Sequence, residues 1–191
     1  GLVDLARIHL GESRWEQARD AAARARASAQ LMKERLDERG AVDEDFEYYR
    51  FDARMAEIEA RARLGESAGA IPAMEEAAND LRNVMAQTAP SRKTLEMADA
   101  RIHERRARVF AALGDEAARQ SELRRAAALF QPYFLPLQPL EGSPEEANVY
   151  LESLIALGET GRARALAQWL REQGQLHYDG ARWLDAEGAA P

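Results

Sequence analysis

Charged residues recur in a fixed order at two positions of a repeated sequence pattern. Counted back from three Leu-Gly pairs, the residues five and twelve positions before the leucine read acid, arginine, acid in both cases. These two sets are Glu59, Arg108, Glu152 and Asp52, Arg101, Glu145. Arginine holds carboxylates through a planar fork of N–H donors. The alternation therefore predicts ion pairing, either between repeats of this chain or between the chain and a partner.

Both interpretations of the two sets remain open from the sequence. Long arginine and glutamate side chains can meet across helices packed about 10 Å apart, forming an inter-repeat ladder worth about 0–1 kcal/mol per exposed pair. Alternatively, a mixed-charge groove binds a partner helix or peptide through Arg101, Arg105 and Arg108. Residues nine positions before each leucine would lie between the two charged sets. The candidate partner-binding residues are Asp52, Met55, Glu59, Arg101, Glu104, Arg105, Arg108, Asn148 and Glu152.

The sequence offers no recognisable catalytic or metal-binding pattern. His9, His103 and His177 are far apart in sequence, and none has a second histidine at helical i, i+4 spacing. The chain has no cysteine. Its carboxylates lie among arginines, the serines lack a nucleophile-elbow pattern, and no glycine-rich phosphate loop is present. We therefore expect no enzyme activity, no metal and no cofactor.

The elements that position these charges are predicted from four Leu-Gly pairs, each followed by an acid. The glycines are Gly11, Gly65, Gly114 and Gly158. Glycine just past a helix adopts positive φ without a Cβ clash, and the acid suits the start of the next helix. The pattern predicts eight helices in four pairs, at about 2–10 with 13–38, 43–64 with 68–87, 91–113 with 115–130, and 144–157 with 159–173.

The third predicted helix has two apolar faces. At 100° per residue, one face holds Phe46, Tyr49, Ala53, Ala56 and Ala60, and the opposite face holds Tyr48, Phe51, Met55, Ile58 and Ala62. A surface helix has a single apolar stripe. Two opposed stripes therefore predict packed neighbours on both sides, as in a stack of helical hairpins.

The regions outside the helices predict a strap and a cap. Residues 131–142 hold three prolines among aromatic and leucine residues, so we expect an extended strap packed over the hairpin ends, with a docking segment as the alternative. The tail alternates around Asp179-Gly180, which predicts either a small β-hairpin or a short helix. The predicted organisation is a repeat domain at 1–173, with units at about 1–40, 41–88, 89–142 and 143–173, and a cap and tail at 174–191.

The first and last units resemble tetratricopeptide-repeat helical hairpins. The residues that carry the resemblance are Leu5, Ala6, His9, Trp15, Ala18, Ala22 and Ala25, and then Ala147, Tyr150, Leu151, Leu154, Ala163, Ala167 and Leu170. The resemblance implies an all-α right-handed superhelix of antiparallel helix pairs, with a concave groove lined by the first helix of each pair. It also implies a role in binding proteins or peptides.

Composition argues against two classes of function, nucleic-acid binding and membrane spanning. The 191-residue chain has a net charge of −7, which argues against nucleic-acid binding, and no stretch approaches the roughly 18 apolar residues of a membrane span. We expect a protein-interaction module, part of a larger bacterial protein because Gly1 replaces an initiator methionine, and cytoplasmic, with a periplasmic setting left open. The alternatives are a sensory domain that binds a small molecule or short peptide, and a homodimerising domain that uses residues 130–140 or Trp183.

Overall fold

The structure is a computed structural model, and it describes residues 1–88, 91–134 and 143–188. Within these ranges the protein is all-α, as predicted, and none of the described residues lies in a β-strand. The helices are α1 Leu2–Gly11, α2 Trp15–Glu38, α3 Glu44–Arg63, α4 Ala70–Thr88, α5 Arg92–Leu113, α6 Glu116–Phe134, α7 Pro144–Ala156, α8 Thr160–Glu172 and α9 Tyr178–Gly188. None of these helices has the length and apolar character needed to cross a membrane.

The odd-numbered helices form a continuous row. Each helix packs against the next one in the chain, and in addition α1 contacts α3, α3 contacts α5, and α5 contacts α7. Within the described part of the chain, α2, α4, α6 and α8 contact only the helices that precede and follow them. We call α1, α3, α5 and α7 the inner row. This row brings residues from all four predicted units side by side.

The turns that follow the Leu-Gly pairs explain how the repeat is built, and they contain one departure from prediction. Gly65, Gly114 and Gly158 adopt φ values of 83°, 77° and 73°, as expected for left-handed helix ends. Gly11 instead remains in α1, and Ser13 takes the positive φ of 58°. The prediction for Gly11 is wrong because the closing hydrogen bonds of α1 run from the Ser13 amide to the Leu10 carbonyl and from the Arg14 amide to the His9 carbonyl, which places the left-handed residue at Ser13.

Alanine supplies much of the interior. In α2 the buried residues are all alanines, at 18, 21, 22, 25 and 29, which lets neighbouring helices approach closely. The predicted two-faced character of α3 is confirmed. Ala53, Ala56 and Ala60 pack toward α1 and α2, whereas Phe51 and Met55 pack with α4 and α5.

The first four residues of the predicted strap are helical instead. Residues 131–134 continue α6, so Pro132 lies inside the last turn of that helix. Tertiary packing explains this departure: Phe130 and Phe134 are buried, and their rings lie 5.6 and 5.8 Å from the ring of Tyr150. The remainder of the predicted strap, residues 135–142, lies outside the described residues. Because Phe130 and Phe134 are buried within their own chain, they do not form an exposed dimer surface.

The tail resolves the choice between a hairpin and a helix. It forms α9, which packs on α7 and α8, with Leu184 buried and Trp183 partly buried against the same core. Gly180 is buried, and a Cβ at this position would lie 2.8 Å from Leu176 Cδ1 and 2.9 Å from Leu151 Cδ2. A side chain at this position would therefore require Leu176 and Leu151 to shift.

Candidate functional site

Side-chain caps fix the first residues of three of the four inner-row helices. Asp43, Ser91 and Ser143 are the N-caps of α3, α5 and α7, and their side chains accept hydrogen bonds from the amides of the third helical residues at 3.0–3.2 Å. The Glu146 carboxylate accepts a hydrogen bond from the Ser143 amide at 2.9 Å, which completes a capping box. These caps fix where α3, α5 and α7 begin, and with them the positions of the charged residues along each helix.

Asp52 is the centre of the network. Its carboxylate is 3% exposed and receives bonds from Arg7 Nη2 at 2.7 Å, Arg101 Nη2 at 2.5 Å and Arg105 Nε at 3.0 Å. Burial by itself raises the pKa of Asp52, but the charges of Arg101 and Arg7 outweigh burial and lower that pKa to about 2. Asp52 therefore joins α1 and α5 to α3 as a fully ionised carboxylate at neutral pH.

A second cluster continues the network toward α7. Glu104 is 3% exposed and contacts both Arg105 and Arg108, and Arg108 also contacts Glu152 of α7. Burial and the nearby Glu152 carboxylate raise the pKa of Glu104, while Arg108 opposes them. Arg105 connects the two clusters, since it binds Asp52 and Glu104 at once. One chain of ion pairs therefore runs from α1 to α7.

The structure brings most of the nine predicted site residues together, but largely in the interior. Five of them form the ion-pair chain, together with Glu152 at its end: Asp52, Arg101, Glu104, Arg105 and Arg108. Met55 is 1% exposed in the apolar core. Asn148, also 1% exposed, donates to the carbonyls of Pro144 and Gln175 and accepts from the His177 amide. Glu59 is not part of the ion-pair chain.

The sequence pattern missed Arg7, although its position follows the same rule. Ser13 supplies the left-handed turn of the first unit, and Arg7 precedes Ser13 by the same interval that separates Glu59 from Gly65. The left-handed residues of the four units are Ser13, Gly65, Gly114 and Gly158. The residues six positions before them alternate between arginine and acid along α1, α3, α5 and α7: Arg7, Glu59, Arg108 and Glu152. The displaced turn hid this relation, because the Leu-Gly pair of the first unit lies two residues too early.

A cleft opens at one end of the inner row. It has a volume of about 790 Å³ and is lined by residues from the beginnings of α1, α3, α5 and α7. We call it the N-terminal cleft. Arg101 and Asp52 contribute to its lining, and the Arg101 guanidinium lies 5.0 Å from the centre of the Tyr48 ring. Burial raises the pKa of the Tyr48 hydroxyl, which has no hydrogen-bond partner among the described residues.

The accessible charge of the N-terminal cleft is acidic. Its lining includes the carboxylates of Asp4, Glu44, Asp45, Glu145 and Glu146. The arginines in the lining, Arg7 and Arg101, are both bound to Asp52, which leaves Lys93 as the lining cation outside the network. Tyr48 and Tyr49 are partly exposed in this lining, whereas Val3 and Met97 lie behind it in the core. The cleft thus combines a negative edge with an aromatic wall.

A smaller cavity lies near the other end of the same helices. It has a volume of about 220 Å³ and is lined by Glu59 and Arg63 of α3, by α5, by Arg119 and Leu123 of α6, and by Glu152 and Ala156 of α7. We call it the Glu59 cavity. Glu59 is 9% exposed, and within the described ranges no group donates a hydrogen bond to it or pairs with it. No group of three or more metal-ligating side chains occurs among the described residues.

Comparison with protein-family models, with curated proteins and with solved structures found no match to this chain. By its fold and its site, the chain is an all-α protein whose inner-row helices are joined by a largely buried ion-pair network.

Proposed function

We propose that this protein is a protein-interaction module, an array of helical hairpins similar to tetratricopeptide repeats, which binds a basic peptide segment in the N-terminal cleft. The observation that carries the proposal is the cleft itself. Four successive inner-row helices contribute to an open groove of about 790 Å³. A groove built from several rigid helices suits an extended or helical segment, because its walls need no rearrangement on binding.

The charge of the cleft supports a basic partner. The arginines that the sequence suggested as partner contacts are bound by carboxylates of the same chain, so a partner carboxylate would have to displace Asp52, Glu104 or Glu152. The acids at the rim, in contrast, face the cleft in the first turns of their helices, and Asp45 and Glu145 are exposed. Complementary charge would orient a lysine- or arginine-containing segment, while the partly exposed rings of Tyr48 and Tyr49 supply aromatic contacts.

The two other functions considered from the sequence receive different support. For homodimerisation, the buried positions of Phe130 and Phe134 remove part of the surface on which that function depended. For a sensory role, the Glu59 cavity is a specific observation, because it combines acids and arginines in a space large enough for a small molecule.

A peptide-display selection tests the proposal. The wild-type chain should enrich peptides that contain lysine or arginine beside an aromatic or aliphatic residue. Selected peptides are then measured against Asp45→Asn/Glu145→Gln, in which the rim loses two charges. If each lost rim contact contributes about 0.5 kcal/mol, binding should weaken roughly fivefold at low salt.

The matched control is Glu34→Gln/Glu38→Gln, which removes two exposed acids from α2, a helix outside the cleft. This variant has the same net charge as the cleft variant and should bind like the wild type. Equal weakening in both variants would show a general charge effect and no cleft. Enrichment of acidic peptides would contradict the proposed partner chemistry.

A further inference from the structure

The Glu59 cavity holds an acceptor that the described part of the protein does not satisfy. Glu59 is 9% exposed and receives no hydrogen bond from the described residues. Its carboxylate oxygens remain accessible from the cavity, so a ligand that enters the cavity can donate to them. The neighbouring Glu104, also in the lining, has both oxygens engaged by Arg105 and Arg108. Glu59 is thus distinguished from the other acids of the inner row.

Its surroundings provide no internal partner within reach. Arg108 is bound to Glu104 and Glu152, and Arg119 is bound to Glu116 at 2.7 Å. Arg63 lies over the Trp15 ring, 5.5 Å from its centre, and does not come within 4 Å of Glu59. Burial raises the pKa of Glu59, and the charges of Arg108, Arg63 and Arg7 only partly oppose it. The carboxyl group therefore lacks a direct donor although three cations lie nearby.

The cavity offers a donor as well as an acceptor. Arg63 and Arg119 line the same cavity as Glu59, and the lining contains equal numbers of acids and arginines. A simple cation would satisfy Glu59 but meet the arginines, whereas a simple anion would do the reverse. A ligand with a cationic donor next to an acceptor oxygen fits both. A volume of about 220 Å³ compares with about 30 Å³ per liquid water, which is room for a small organic group.

We infer that the Glu59 cavity binds an α-ammonium group together with its adjacent carbonyl or carboxylate oxygen, the ammonium on Glu59 and the oxygen on Arg63. This chemistry occurs in a free amino acid and at the amino terminus of a peptide. The short side chain or second residue would lie against Ala107, Ala111 and Ala156. The site is separate from the N-terminal cleft, so the inference holds whether or not the cleft binds a peptide.

Three probes distinguish the sources of this chemistry in an ¹⁵N NMR titration. L-alanine represents the free amino acid, L-alanyl-L-alaninamide represents a peptide amino terminus, and N-acetyl-L-alaninamide lacks the ammonium. At least one of the first two should give saturable shifts at the amides of Ala107, Ala111 and Leu123. The acetylated probe should give none. Tighter binding of alanine than of the dipeptide amide identifies a free amino acid, and the reverse identifies a peptide terminus.

Variants of the cavity test the assigned contacts. Glu59→Gln should weaken binding about tenfold or more, since it removes a charge-assisted bond to the ammonium. This variant should fold, because the Glu59 side chain has no hydrogen bond to lose, and Glu59→Asp provides a second test that keeps the charge but shortens its reach. Glu57→Gln is the matched control, on the same helix but paired with Arg26 outside the cavity, and should bind like the wild type.

Several outcomes would overturn the inference. Absence of saturable shifts with both ammonium probes would do so, as would equal binding of the acetylated probe. Unchanged affinity in Glu59→Gln, with the fold verified by circular dichroism, would show that any binding occurs elsewhere. None of these results bears on peptide binding in the N-terminal cleft, which is measured with different variants.

Discussion

Replacing Asp52 with asparagine should strongly destabilise the protein at neutral pH. Asparagine keeps the size of the side chain but removes the negative charge that receives bonds from Arg7, Arg101 and Arg105. The guanidinium of Arg105 is 5% exposed and that of Arg101 11% exposed, so water cannot replace the lost carboxylate. Removing one member of such a buried cluster typically costs about 3–5 kcal/mol because the remaining charges stay buried without compensation.

The pKa of Asp52 agrees with a cost of this order. Lowering of the pKa from 3.8 to about 2 corresponds to about 2–3 kcal/mol of stability from ionisation. Because the folded-state value lies below the unfolded one, this contribution is present above about pH 4 and is lost as the pH falls toward 2. We therefore expect Asp52→Asn to lose about 2–5 kcal/mol at pH 7, with a smaller difference from wild type below pH 4.

The assay is urea unfolding followed by circular dichroism at neutral pH and at several values below pH 4. The matched control is Asp80→Asn, which breaks the 2.5 Å pair of Asp80 with Arg54 at a carboxylate that is 42% exposed. That variant should lose less than about 1 kcal/mol, as exposed pairs do. If the loss in Asp52→Asn is no larger than in the control, or does not shrink in acid, Asp52 is not the energetic centre of the network.

Other substitutions test the turns and the C-terminal cap. Gly114→Ala, at a φ of 77°, should lower the free energy of unfolding by about 1–2 kcal/mol, measured in urea. Gly11→Ala, inside α1, should leave that free energy unchanged or raise it by up to about 1 kcal/mol. An equal loss in both variants would contradict the assignment of the first turn to Ser13. Asn148→Ala removes three hydrogen bonds of 2.7–2.9 Å and should cost about 2–3 kcal/mol, with faster amide hydrogen exchange in α9 before other helices. Gly180→Ala should also speed exchange in α9, because its Cβ would lie within 3 Å of Leu176 and Leu151, and protection as in wild type would show that these leucines move aside without cost.

Much of the fold could be predicted because its signals are local. The glycines at 65, 114 and 158 end helices for a conformational reason that acts within a single turn. Ser143, Pro144 and Glu146 likewise specify the start of α7 by contacts between residues three apart. The two apolar faces of α3 follow from helical periodicity alone. At Pro132 the local signal was overridden by burial of Phe134 against other helices. At Gly11 the helix-ending turn formed two residues later, at Ser13.

The candidate site was only partly accessible from the sequence. The acid–arginine alternation identified residues that meet in space, including Asp52 with Arg101 and Arg108 with Glu152. Sequence periodicity gave Met55 two roles, on a packed face of the third helix and in the candidate site, and only the structure placed it in the core. The alternation could not show that Asn148 points inward, because a helical repeat fixes a phase but not which side of the array that phase faces. It also could not separate Glu59 from Glu104, which are both acids on neighbouring inner-row helices.

What the sequence by itself determined was the all-α class, the periodic turns and the order of charges along the inner row. These depend on backbone conformation and spacing, which are properties of short segments. Only the tertiary structure decided which charges neutralise one another, because pairing depends on distances between helices. Arg7, more than forty residues from Asp52 in the chain, contacts it at 2.7 Å, while Glu59 receives no donor from the described residues. That difference arises from packing. The Asp52 carboxylate joins three helices, whereas the Glu59 carboxylate has no donor among the described residues.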